Sequence, residues 1–167
     1  MPLNEALGFK ALSINNDKWE NIMLKKVIVS AAIISALFLS GCASVPMASI
    51  ENDAKAKEFS VQKDKANIYI YRNESLGFAI KMPVLIDGMA VGDTAANTYV
   101  FKTVEPGKHT VVSKTEKDET LTIDTKVGNN YFIWQEVKMG VWSARSKLHL
   151  VNEEEGKKAV RECKLVK

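Results

Sequence analysis

Few residues in this 167-residue chain are equipped for chemistry: it has two histidines and two cysteines. Asp87, Glu105 and His109 lie within one stretch and offer two carboxylates and an imidazole. Hydrolysis needs one group to accept a proton and a second to donate one. A cell-wall-modifying hydrolase using Asp87, Glu105 or His109 is therefore one reading. The surrounding sequence argues against it. His109 and His149 stand in separate segments without paired metal-ligand spacing, and Cys163 does not complete a ligand set. No serine occupies a Gly-x-Ser-x-Gly elbow. Gly88 and Gly92 are too sparse for a phosphate loop, and Asp87 stands before Gly88 where a tight turn asks for it. The expectation is a non-enzymatic protein with no metal and no cofactor.

Aromatic side chains offer a second kind of chemistry, a face for a sugar or a peptide. Trp134 falls in the most apolar stretch of the C-terminal half and reads as core. Trp142 follows Gly140 and reads as an exposed contact. Tyr69 and Tyr71, on one face of a strand, join Trp142 as candidate binding aromatics.

Cys42 offers a third. Lys25 and Lys26 precede a thirteen-residue apolar or small run, Val27 to Leu39, closed by Ser40, Gly41 and Cys42. A positive n-region, an apolar h-region and small residues at a cut site make a secretory signal. The run is too short for a membrane span, which needs about 20 apolar residues. Leu39-Ser40-Gly41-Cys42 resembles the lipobox of bacterial lipoproteins. That resemblance implies cleavage between Gly41 and Cys42. It also implies a diacylglyceryl group and an N-acyl chain on Cys42. With Ala43 rather than aspartate next, it implies the outer membrane, facing the periplasm, in a Gram-negative cell. Met23 begins a complete signal, and Glu5, Asp17 and Glu20 are foreign to an n-region. Residues 1–22 thus read as an upstream extension, 23–41 as signal peptide, and 42–65 as acylated cysteine and tether. Residues 66–167 read as one β-sandwich domain.

The 126 residues from Cys42 onward suffice for one core. Their net charge is near +2 and evenly spread, which speaks against nucleic acid as a partner. An acylated Cys42 leaves Cys163 without an intrachain partner, and Leu165 and Val166 beside it suggest burial.

The elements that must position these residues are mostly strands. Ala66 to Arg72 is apolar on both faces and reads as an interior strand. Asp87-Gly88 after Pro83-Val84-Leu85-Ile86 signals a hairpin. Tyr99–Val104, the turn Glu105-Pro106-Gly107 and His109–Ser113 suggest a type II turn between strands. Leu121–Asp124, Tyr131–Trp134, Val141-Trp142 and Lys147–Val151 follow as further strands. Ser49 suits the cap of a short helix towards Phe59. Asn152 caps a second, with Glu153 to Glu155 in its first turn, and Cys163 to Val166 reads as a last strand. The fold class is mainly β, a single antiparallel β-sandwich or small barrel with a short C-terminal helix. Ile86-Asp87-Gly88-Met89-Ala90-Val91-Gly92, followed by Val104-Glu105-Pro106-Gly107-Lys108-His109-Thr110-Val111, resembles a PEGA-type β module. With the lipobox, it is similar to a domain-of-unknown-function family of small bacterial lipoproteins. The resemblance carries no catalytic residues. It implies a membrane-anchored envelope protein whose β domain binds a protein or cell-wall partner.

Overall fold

The computed structural model describes residues 44–167. The extension, the signal peptide, the Gly41–Cys42 cleavage site and the lipidated Cys42 lie outside the described residues.

The chain forms a two-sheet sandwich with helices on one outer face. Strand β1 (Ala66–Arg72) is buried along all seven residues. Its alternation explains why. Ile68 and Ile70 face the second sheet, and Tyr69 and Tyr71 face the helices. A strand with two apolar faces is stable only between two layers. It sits at the centre of a five-stranded sheet ordered β8-β7-β1-β4-β9. Here β4 is Thr98–Val104, β7 Asn130–Lys138, β8 Arg145–Val151 and β9 Lys164–Leu165. The other sheet is ordered β3-β2-β5-β6. Its strands are β2 (Met82–Ile86), β3 (Met89–Thr94), β5 (Gly107–Ser113) and β6 (Glu119–Thr125). The two sheets remain separate, so the architecture is a sandwich and not a closed barrel.

Three expectations about strands are corrected. The larger sheet is mixed, because β1 pairs parallel with β7 and β4 parallel with β9. Between β4 and β7 the chain visits the other sheet through β5 and β6, and it returns to β1 running the same way. Glu105 and Pro106 make a corner between sheets instead of a type II turn, since β5 pairs with β2 and β6 and not with β4. Gly107 accordingly has φ 137°, far from the value of about +80° that a type II turn requires. Finally, Val141 and Trp142 lie in the loop between β7 and β8. Gly140 lets that loop fold tightly: a Cβ there would meet the Ser143 carbonyl oxygen at 1.8 Å and a Glu116 oxygen at 2.3 Å.

The tether reading is revised from Val45 onward. Val45 is buried in the inter-sheet core. Met47 bridges to Val166, and Ala48 N–H donates to the Leu165 carbonyl at 2.9 Å. Helix α1 (Ile50–Ala56) starts as expected at Ser49, whose hydroxyl accepts from Asn52 N–H at 3.2 Å. Ala56 and Phe59 then bury against Tyr69 and Phe132. The chain is therefore fixed to the domain three residues after Cys42.

Helix α2 (Glu153–Glu162) is capped by Asn152, which accepts from Glu155 N–H at 2.9 Å. It packs on β7 at Gly156, where a Cβ would stand 2.2 Å from the Phe132 side chain. Ile68 and Phe132 are both fully buried.

Candidate functional site

Asp87 and Gly88 turn β2 into β3 with φ of 52° and 78°, positive at both central positions as a type I′ hairpin demands. The turn carries the Asp87 carboxylate to His109 on β5. Asp87 Oδ2 stands 2.6 Å from His109 Nδ1, and Oδ1 accepts from Thr110 N–H at 2.8 Å. His109 Nε2 lies 2.7 Å from the Glu105 carbonyl oxygen. Glu105 enters through its backbone, while its carboxylate pairs with Lys65 at the surface. A carbonyl only accepts, so Nε2 carries a proton, and Nδ1 carries one towards the carboxylate. Burial lowers the His109 pKa, but hydrogen bonds to Asp87 and the Glu105 carbonyl outweigh it and raise it overall. The His109 hydrogen bond, then the Thr110 amide, lower that of Asp87. Thus the three candidate residues do meet, but as a clasp between two chain corners. Both ring nitrogens are engaged by acceptors of the chain itself, and this geometry lends the hydrolase reading no support.

The candidate aromatics are separated. Tyr69 is 1% exposed and Tyr71 2%, so neither joins Trp142 in an exposed aromatic face, which corrects their reading as binding aromatics. Tyr69 stacks on Phe132 with centroids 5.0 Å apart and donates its hydroxyl to the Ala56 carbonyl at 2.9 Å. It holds α1 to the sheet. Two apolar faces on β1 already meant that the tyrosine face would be covered. Trp134 packs on His149 with centroids 5.1 Å apart.

Trp142, by contrast, is 92% exposed. It stands at a tip built by two segments, residues 73–81 after β1 and 139–144 after β7. The parallel β1–β7 pairing sets these ends side by side. Leu76, Ile80, Met139, Val141 and Trp142 line a cleft of about 290 Å³ there. Phe78, Met139 and Val141 are exposed alongside. The backbone beneath them is held by charge. Glu116 accepts from Ser143 N–H at 2.9 Å, Trp142 N–H at 3.0 Å and Arg145 Nη2 at 2.7 Å. The same three donors, in that order, pull its pKa down to about 2. Arg72 is fully buried at the end of β1. It donates to the Ile80 carbonyl at 3.0 Å and to the Leu76 and Gly77 carbonyls at 3.2 Å each. Glu74 accepts from Val137 N–H at 2.5 Å and ties the first segment to the end of β7.

Arg72, Glu74 and Glu116 were not singled out by the sequence. Glu116 lies among Lys117, Asp118 and Glu119, and nothing local says which carboxylate folds back. Arg72 gave one signal, a charge ending a strand with two apolar faces.

Cys163 is buried, as expected. Its thiol donates to the Arg72 carbonyl at 3.5 Å, and burial pushes its pKa up to about 12. Such a thiol is inert. Among the described residues, no three His, Cys, Asp or Glu side chains are placed to hold a metal ion, and no helix is long and apolar enough to cross a membrane.

Residues 62–147 match the model of the family described as "Protein of unknown function (DUF2846)". A Haemophilus influenzae protein described as uncharacterized is 41% identical over 140 residues, covering 82% of this chain and 83% of that one. No solved structure matches.

Proposed function

The chain belongs to the family described as "Protein of unknown function (DUF2846)", and on that premise we propose that it is a membrane-anchored envelope lipoprotein. Its non-catalytic β domain binds a protein or cell-wall partner through the Trp142 tip. The single observation that carries the binding half is Trp142 itself, a large aromatic side chain 92% exposed on a loop whose backbone is fixed. Aromatic anchors on pre-organised backbone lose little entropy on binding and dominate interface energetics. The anchor half rests on the signal-like run and on Leu39-Ser40-Gly41-Cys42. A diacylglyceryl group and an N-acyl chain on Cys42 supply two or three acyl chains, enough for durable attachment where one is marginal. In a Gram-negative cell the protein then sits at the outer membrane and faces the periplasm. The hairpin at Asp87-Gly88 supports the likeness to a PEGA-type module.

Two comparisons test the halves separately. Cells fed labelled palmitate should label the wild type and leave Cys42→Ala unlabelled; equal labelling would overturn the anchor. A photo-crosslinking residue at position 141 should capture one reproducible envelope component. Replacing Trp142 by alanine should abolish the adduct, and a wild-type protein that stays a free monomer would overturn the binding half.

A further inference from the structure

A second surface is specified by its hydrogen-bonding groups. Strand β9 covers the outer edge of β4 only at Thr98 and Tyr99. The ladder ends where Val166 N–H donates to the Tyr99 carbonyl at 2.9 Å. Backbone groups of alternate residues point to the same edge of a strand. The carbonyls of Asn97 and Tyr99 point outward to Lys164 and Val166, so the N–H and C=O of Phe101 and Thr103 point outward too. Among the described residues, no strand pairs with them there.

This open edge forms one wall of a groove of about 790 Å³. Met47, Ala56, Val61, Tyr69, Phe101 and Leu165 supply its apolar lining. Native sheets ordinarily cover or charge an edge. Here two residues of edge stand unpaired among the described residues, beside a groove that mixes apolar side chains with Asn52, Lys55, Glu58 and Gln62. Unpaired donors and acceptors alternating along a strand are complementary to one partner chemistry, an extended backbone. Continuity favours the same answer, since β9 already occupies the first positions of this edge.

We propose that the β4 edge at Phe101 and Thr103, with the groove beside α1, docks an extended polypeptide segment as an added strand. Its apolar side chains enter the groove on alternate positions. The site depends neither on the lipid anchor nor on the Trp142 tip.

The probe is a library of displayed random heptapeptides, panned on the full-length chain in detergent micelles. Enriched peptides should slow amide exchange at Phe101 and Thr103. Proline is tolerated where an edge N–H faces outward, so Thr103→Pro removes one donor with the strand retained. It should weaken the peptides by about tenfold, the loss expected for one hydrogen bond with its neighbouring contacts. Thr103→Val, which keeps the N–H and loses the hydroxyl bond to Asn67, should bind like the wild type. Failure to enrich any peptide would overturn the proposal. So would peptides that bind Thr103→Pro as well as wild type, or that leave Phe101 and Thr103 exchange unchanged. The exchange measurement is made on wild-type protein and decides the matter even where Thr103→Pro does not fold.

Discussion

The Asp87–His109 clasp and the Glu116 clamp use one device for opposite ends. In each, a carboxylate gathers N–H donors from a distant part of the chain. Asp87 takes a side chain and a backbone amide, and His109 spends its other nitrogen on the Glu105 carbonyl. Every polar group there is consumed, and what remains is a joint. Glu116 takes two backbone amides and an arginine. That fixes the loop and leaves Met139, Val141 and Trp142 turned to solvent. The titratable groups of the clasp are thus engaged with one another and with backbone. The unfilled capacity lies in apolar side chains on rigid backbone.

The sharpest break of that comparison is at Arg72. It supports the tip from within, and its loss removes the guanidinium donor to the Leu76 and Ile80 carbonyls and one of the two donors to the Gly77 carbonyl, which keeps the Ile80 N–H. Arg72→Ala should cost about 3 kcal/mol, the range for hydrogen bonds to a charged group with a cavity added. Denaturant midpoints would show it, and a change near zero would mean the tip is not held by Arg72. Gly88→Val attacks the clasp through its turn. A β-branched residue resists φ of 78°, so more than about 1 kcal/mol should be lost. An unchanged midpoint would exclude the type I′ geometry.

Most of the strands, though not Val141-Trp142, both helix caps and the Asp87-Gly88 hairpin were legible because each is decided within a few residues. Ile68 and Tyr69 alternate, Ser49 and Asn152 precede their helices, and glycine follows aspartate. The tip was legible only as one exposed tryptophan. Its frame depends on β1 lying parallel to β7, with 58 residues between Arg72 and Tyr131, and on Glu116 reaching 26 residues ahead to Trp142. Local pattern carries no information on either. Pro106-Gly107 misled for the same reason: the dipeptide suits a turn, but the chain path makes it a corner. Tyr69 and Tyr71 misled when considered as aromatics rather than as the second face of a buried strand.

A smaller effect should appear in the pH dependence of the clasp. His109 has a pKa raised above 6.5 in the folded chain. Its contribution is fully present below about 6.5, its unfolded value, and is lost as pH rises through the folded value. Asp87 is lowered from 3.8. Its contribution is present above that unfolded value and is lost as pH falls through the folded one. The clasp is therefore complete between the two. His109→Gln should flatten the alkaline fall in thermal midpoint above neutral pH. An identical fall in variant and wild type would show that His109 does not titrate against Asp87.

The smallest change in stability is expected at the most exposed residue. Trp142 contributes its backbone N–H to Glu116 and its side chain to solvent. Trp142→Ala keeps the first and removes the second. Surface substitutions away from caps, cores and charges fall within about 0.5 kcal/mol, and the thermal midpoint should stay within that range. Binding should respond in the opposite way, since an aromatic anchor carries energy only when a partner covers it. Glu116→Gln supplies the complementary test. It keeps Trp142 and weakens the acceptor, so amide exchange at Trp142 and Ser143 should accelerate and the crosslinked adduct should fall without vanishing. Losing Trp142 should therefore cost more binding than loosening its loop. The reverse order would place the recognition energy in the backbone of the loop, and equal stability loss in both variants would make Trp142 a structural residue after all.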